Sequence, residues 1–300
     1  MNYVVSSSSL NLRGAAVIDA ANIIATLPQG QPVAVVDNTN AAWWKVNTTL
    51  AGKPLQGFAA AKYLQPAGQA AATAHTKVDA VNCEARADSN RASTDARYCP
   101  LGEPTLPRRD PAAAPSIKIP ALHAIIAFLD VEHSARYQPT AKSTYCNIYA
   151  YDVCYLAGVY LPRVWWKSKA LLALAQGTPQ EVQYGTTVDE LNANALHDWL
   201  GEWGDDFGWQ RTFDATDLQT QINNAGGIGV ICGRRKDITR SGHITVVLPE
   251  RPGNAAQRSG AGVIAPLQSQ AGVKNKQYFA TPWWIDRAAE FSNVGFWWQA

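Results

Sequence analysis

A thiol and an imidazole carry the chemistry this sequence offers. Cys146 stands where an apolar run begins: Ile148, Tyr151, Val153, Leu156 and Ala157 recur at helical spacing, and Gly158 and Pro162 stop the run. Ser143 or Thr144 can cap such a helix, which puts the Cys146 thiol in its first turn. Unpaired amides and the positive end of the macrodipole there favour thiolate, so the thiol is expected to ionise below the free-cysteine pKa of about 8.5. Cys154, two turns deeper, reads as core.

A nucleophilic thiol needs a base. Of the five histidines, His75 falls in an Ala-rich stretch, and His123, His133 and His197 fall in helical patterns. Only His243 opens a strand, Gly242-His243-Ile244-Thr245-Val246-Val247-Leu248, bounded by Pro249. A strand backbone holds an imidazole stiffly, as a general base requires.

The elements that must position this pair occupy the second half of the chain. Helical spacing is expected over 121–135, from Cys146 to Gly158, over 165–176, 188–203 and 217–224; strands are expected over 228–232, 244–248, 263–270 and 278–280. Helices first and strands later predict an α+β domain from 119 to 300 with a mostly antiparallel sheet. If Leu248 and Val263 lie near the two ends of one loop, antiparallel pairing returns Gln268 to Gln270 beside His243. Glu250 is a stronger acceptor, but it sits at the far end of the His243 strand, some 20 Å away at ~3.3 Å per residue.

That order, a cysteine at a helix start and a histidine at a strand start, resembles the papain-like cysteine hydrolases, and within them the NlpC/P60 and CHAP peptidoglycan hydrolases. The resemblance rests on Tyr145-Cys146-Asn147 with Asp152-Val153, Ala157-Gly158-Val159 and Leu161-Pro162. It continues through Asn223-Asn224-Ala225-Gly226, Val230-Ile231, Gly242-His243-Ile244-Thr245-Val246-Val247 and Gln268-Ser269-Gln270-Ala271-Gly272. The wide spacing between Cys146 and His243 calls for an insertion around 167–211. The resemblance implies Cys146 as nucleophile and His243 as base. It also implies a polar residue on the following strand that orients the imidazole: Gln270, with Gln268 next, against the plainer reading of an edge-strand amide. The Cys146 backbone amide is the default oxyanion donor. Gln138 and Tyr145 are placed to add a side chain upstream, Tyr145 also to touch substrate, with Tyr137 and Asn147 behind them.

Residues 10–66 alternate short apolar runs with turns at Pro28-Gln29-Gly30-Gln31, Asp37-Asn38-Thr39-Asn40 and Gly52-Lys53-Pro54. Leu10, Leu12, Val17, Ile23, Leu27, Val33, Val35, Trp44, Val46, Phe58, Tyr63 and Leu64 supply the apolar positions. The segment is similar to a small all-β bacterial SH3-like (SH3b) barrel, through Leu10-Asn11-Leu12-Arg13, Leu27-Pro28-Gln29-Gly30, Trp43-Trp44-Lys45-Val46 and Ala61-Lys62-Tyr63-Leu64. Gly14-Ala15-Ala16 and Phe58 depart from the family pattern. The resemblance implies a wall-targeting domain over 1–66. Trp44 and Val46 alternate inward, which leaves Trp43 outward as the candidate ligand contact. The Ala-, Pro- and charge-rich stretch 67–118 reads as a tether. Cys83 and Cys99 could close a loop within it in an oxidising space, or stay free.

Three hundred residues that are 47% apolar can bury a real core. A net charge of +2 gives little steering toward nucleic acid, and no apolar run reaches the ~20 residues of a membrane span. The start lacks the pattern of a secretory signal, so delivery to the wall without such a leader, or with one already removed, is expected. Eleven tryptophans suit sugar or peptide grooves, although most should be core. No histidine and cysteine spacing suggests a metal, and no cofactor is expected. The whole reads as a monomeric peptidoglycan hydrolase, lysin or antibacterial effector, cutting a peptide-stem amide; the alternative is a catalytically inactive wall-binding adaptor.

Overall fold

The computed structural model describes residues 2–6, 9–16, 22–40, 43–67 and 78–300. Contacts divide the chain into two compact units, Met1–Lys77 and Val78–Ala300. Val17 and His75 lie outside the described residues.

The first unit is a single seven-stranded antiparallel sheet in the order β3-β2-β6-β5-β4-β1-β7. Its strands are β1 (Asn2–Val5), β2 (Ser9–Arg13), β3 (Ile23–Pro28), β4 (Pro32–Asp37), β5 (Trp43–Leu50), β6 (Lys53–Ala60) and β7 (Leu64–Pro66). Period-2 alternation drives it: Val5, Leu10, Leu12, Leu27, Val33, Val46, Ala59 and Leu64 form its buried core, with Trp44 packed against them. The β5–β6 hairpin pairs from Trp43↔Ala60 to Leu50↔Lys53 and turns through Gly52 at φ +79°, a left-handed conformation that favours glycine. At the next expected turn, Asp37 Oδ1 accepts from both Thr39 N and Thr39 Oγ1, at 2.9 and 2.8 Å.

The second unit opens with α1 (Pro115–Leu129), α2 (Cys146–Leu156), β8 (Val164–Trp166), α3 (Ser168–Ala175), β9 (Val188–Glu190) and α4 (Ala193–Glu202). Then come β10 (Gln210–Thr212), α5 (Ala215–Ala225), β11 (Ile228–Arg235), β12 (His243–Val247), β13 (Gln257–Ser259) and β14 (Gly262–Ala265). It closes with β15 (Gln268–Gln270), β16 (Lys276–Phe279), α6 (Trp283–Asp286) and β17 (Phe291–Gln299). A six-stranded sheet in the order β10-β17-β11-β12-β15-β16 forms its backbone. One face, with Val230, Cys232, Ile244 and Val246, packs on α2 and α4 in the main core. The other carries Ile231 and Val247 against Leu218, Ile222, Trp283 and Phe291. The unit is a mixed helix-and-sheet layer structure.

Several elements differ from expectation, each for a local reason. The first helix starts at Pro115, because Pro is favoured at the first helical position, and tolerates Pro120 inside it. Residues 165–176 and 188–203 each begin as a short strand, β8 pairing with β9, before turning helical. Asn192 caps α4 by accepting from Asn194 N and Ala195 N, and Asp214 caps α5. The long central strand β17 has no counterpart among the expected elements; its run of Phe291, Phe296, Trp297 and Trp298 alternates poorly because both faces of a central strand are covered.

The tether expected over 67–118 is cut short. From Val78 the chain belongs to the second unit, where Val78, Val81, Cys99 and Leu101 are buried without periodic structure. Arg109 is buried with them and donates to three backbone carbonyls, Ala157 at 2.9 Å, Gly226 at 3.0 Å and Ala300 at 3.1 Å. Among the described residues no helix is long and apolar enough to cross a membrane.

Candidate active site

Cys146 is the first residue of α2 and is 2% exposed. Tyr145 occupies the N-cap position and makes no side-chain cap, contrary to the capping expected from Ser143 or Thr144. With no side-chain cap there, the thiol sulfur itself sits among N–H groups: those of Cys146, Asn147 and, across the gap to β12, Ile244. These favour thiolate, but burial outweighs them and pushes the thiol above its ordinary pKa. The expected depressed thiol pKa is therefore reversed, because the helix start is covered by protein instead of facing water.

The Ile244 amide is the one that follows His243. Gly242 lets β12 begin there: a Cβ on it would meet the Gly233 carbonyl oxygen at 2.3 Å and Asn194 Oδ1 at 2.7 Å. His243 is half-buried, and its Nε2 donates to Gln270 Oε1 at 2.8 Å. Pairing of β12 with β15, through Val246↔Ser269 and Val247↔Gln268, brings Gln270 to it. Gln270 Nε2 in turn donates to the Lys274 carbonyl at 3.1 Å, which fixes the amide so that its oxygen faces the imidazole. With Nε2 carrying the proton, Nδ1 is the basic nitrogen. Burial, foremost, and the nearby Arg287 and Arg235 push the imidazole down to about 4, against the raising effect of Gln270. At neutral pH thiol and imidazole are thus both uncharged.

Other expected residues lie elsewhere in function. Gln138 is not free to donate to an oxyanion: its Nε2 is turned to the Glu132 carbonyl at 2.9 Å and the Ser134 carbonyl at 3.3 Å, within its own loop. Gln268 is buried and accepts from Thr245 Oγ1 and Trp283 Nε1, not from His243. Tyr145 is half-buried with the Arg97 guanidinium 3.8 Å over its ring. Asn147 Nδ2 donates to the Leu191 carbonyl, joining α2 to the turn before α4.

Two supports carry no signal at the level of spacing. Trp283 stands edge-on to the His243 ring, with centroids 4.9 Å apart. Beneath α2, Asp152 receives Arg136 Nε at 2.6 Å and Tyr137 Oη at 2.9 Å, all three fully buried. Arg136 completes its set with Ser89 Oγ at 3.1 Å and the Cys99 carbonyl at 3.0 Å. Asp152, the one charged residue on α2, is the hint the sequence holds, and nothing in its spacing names Arg136 or Tyr137 as its partners.

In the first unit Trp43 is half-buried, lies outside the core cluster and has the Arg13 guanidinium 6.0 Å from its ring centroid. The family model for the bacterial SH3 domain matches residues 8–65. The first unit carries a bacterial SH3 domain. No curated protein matches the chain. Among solved structures, NlpC2 from Trichomonas vaginalis is similar at a TM-score of 0.24 and 11% identity, covering 94% of this chain and 71% of that one. So loose a likeness assigns no fold to the second unit.

Proposed function

We propose that the chain is a peptidoglycan hydrolase: the SH3 domain binds the cell wall and the second unit, a papain-like domain, cleaves a peptide-stem amide as a lysin or antibacterial effector. The observation that carries this reading is the thiol of Cys146 lying against the amide that follows His243, whose other nitrogen is tied to Gln270. In this mechanism the Cys146 thiol gives its proton to His243 Nδ1 as its sulfur attacks the amide carbon. Because both groups are neutral beforehand, transfer and attack occur together. The oxyanion is held by the Cys146 amide. The imidazolium then protonates the departing amine, and His243 activates water to hydrolyse the thioester, restoring the thiol and releasing a carboxylic acid. Gln270 keeps the imidazole in its tautomer, and Tyr145, the residue before the nucleophile, is the proposed substrate contact.

A second reading, a wall-binding adaptor without catalysis, is favoured by the near-complete burial of Cys146 and its raised pKa. Purified sacculi separate the two. The hydrolase reading expects release of peptide fragments by the native chain and at least a 100-fold loss with Cys146→Ala, while sacculus binding persists. Binding without release from either protein leaves the adaptor.

A further inference from the structure

We propose that Cys83 and Cys99 are an oxidisable pair whose disulfide locks the loop that buttresses the Cys146 helix. Both are free thiols, and the loop folds back to bring them together. Arg86 bridges to Leu101 in parallel, Gly102 N donates to the Ser89 carbonyl at 2.9 Å, and Ser89 Oγ donates to the Cys99 carbonyl at 3.1 Å. The Cys99 thiol is the side-chain neighbour of the Cys83 thiol. Between the two cysteines only Ser89 is buried, so little apolar burial holds this stretch and a covalent link would add what packing does not.

The two sulfurs are unequal in a way that suits exchange. Cys83 is half-buried at the margin of the main core, whereas Cys99 is 1% exposed behind it. An oxidant of the disulfide class reaches Cys83 first. The Cys83 thiolate attacks one sulfur of oxidised glutathione and expels one glutathione thiolate. Cys99 then loses its proton, its sulfur attacks the Cys83 sulfur, and the second glutathione thiolate leaves. Two protein thiols are oxidised and one glutathione disulfide is reduced to two thiols. Burial pushes both thiols up, that of Cys99 to about 11, so both steps are slow at neutral pH, and it is the greater exposure of Cys83 that makes it the point of entry.

The link would stiffen the acceptors of a buried cation. The Cys99 carbonyl and Ser89 Oγ hold Arg136, Arg136 holds Asp152, and Asp152 stands on α2 below Cys146. Arg97 of the same loop reaches the carbonyls of Ala135 and Arg136 as well as the Tyr145 ring. The inference is independent of the chemistry proposed for Cys146, since its readouts are masses and melting temperatures.

The test is to incubate the native full chain with oxidised glutathione, block free thiols, and digest with trypsin. Cuts at Arg86, Arg91 and Arg97 separate the peptides 78–86 and 98–108, so only a disulfide joins them. The expected product is that linked pair, lost on reduction, with the melting temperature of the second unit raised by roughly 5–10 °C. Cys99→Ser should trap one glutathione on Cys83, and Cys83→Ser should leave Cys99 unmodified. A stable glutathione adduct on Cys83 of the unaltered chain would overturn the proposal. So would both thiols blocked as free, or a linked product containing Cys146.

Discussion

The two units solve the same problem with different materials. The SH3 domain buries eight apolar residues in its core cluster, and among its described residues only Arg13 and Thr48 are buried polar side chains. The second unit puts Arg109, Lys118, His123, Arg136, Asp152, Arg163, His197 and Arg235 inside. Apolar burial is non-directional, so a small sheet can be assembled from alternation and turns alone. Buried charges are directional and costly unless paired, so the second unit depends on particular partners far apart in sequence. One unit is tolerant in its details and the other is specified by them.

The sharpest way to break that contrast is Asp152→Asn. It leaves the Arg136 guanidinium, 0% exposed, without a counter-charge, which costs about 3–5 kcal/mol. Calorimetry should show the transition of the second unit lowered by roughly 10 °C or lost, with the SH3 transition in place. If the SH3 transition moves equally, the units are not independent in stability.

Acidification should act next most strongly. Burial, foremost, pushes His123, His197 and His243 each down to about 4 from an ordinary 6.5. A depressed folded pKa means the unfolded chain takes up protons first as pH falls. The associated stability is therefore complete above about pH 6.5, declines below it, and is gone by about pH 4. The described residues of the SH3 domain include no histidine. Melting scans from pH 7 to 4 should lower the second transition steadily and leave the first nearly flat until carboxylates begin to titrate. A second transition that holds constant to pH 5 would mean these imidazoles are hydrated in solution.

The smallest effect on stability is expected from Trp43→Ala, a side chain outside either core. The change should stay within about 1 kcal/mol, yet sacculus pull-down should weaken several-fold if Trp43 is the wall contact. Unchanged retention would move the contact to another face of the sheet.

The same contrast explains what could be read from the residues alone. In the SH3 domain, Leu10, Leu12, Leu27, Val33 and Val46 announce their burial by period, and Gly30 and Gly52 announce the turns. In the second unit α2 is legible because its apolar face is local, and β12 because Gly242 and Pro249 bracket it. The meeting of His243 with Gln270 follows from antiparallel return, a rule about neighbours. Nothing local identifies Arg136 as the partner of Asp152, or Val78 as the start of a packed segment, because those contacts depend on where distant chain passes. Gln138 misled for a related reason: polarity near a nucleophile marks availability only when the local backbone has not already claimed the donors, and here it has. The raised thiol of Cys146 is a matter of coverage, which position along a helix does not encode.

Arg109 gives the stretch ahead of the first long helix a meaning that its composition hides. Its fork grips the trailing ends of two helices, at Ala157 and Gly226, where backbone dipoles leave negative charge unsatisfied, together with the Ala300 carbonyl after the last strand. A cut placed just before Pro115, at the obvious onset of regular structure, would therefore withdraw a cationic clasp from three separate places at once. The seam of this protein lies further upstream still, before Val78, where apolar burial of Val78 and Val81 already ties the chain to the second unit.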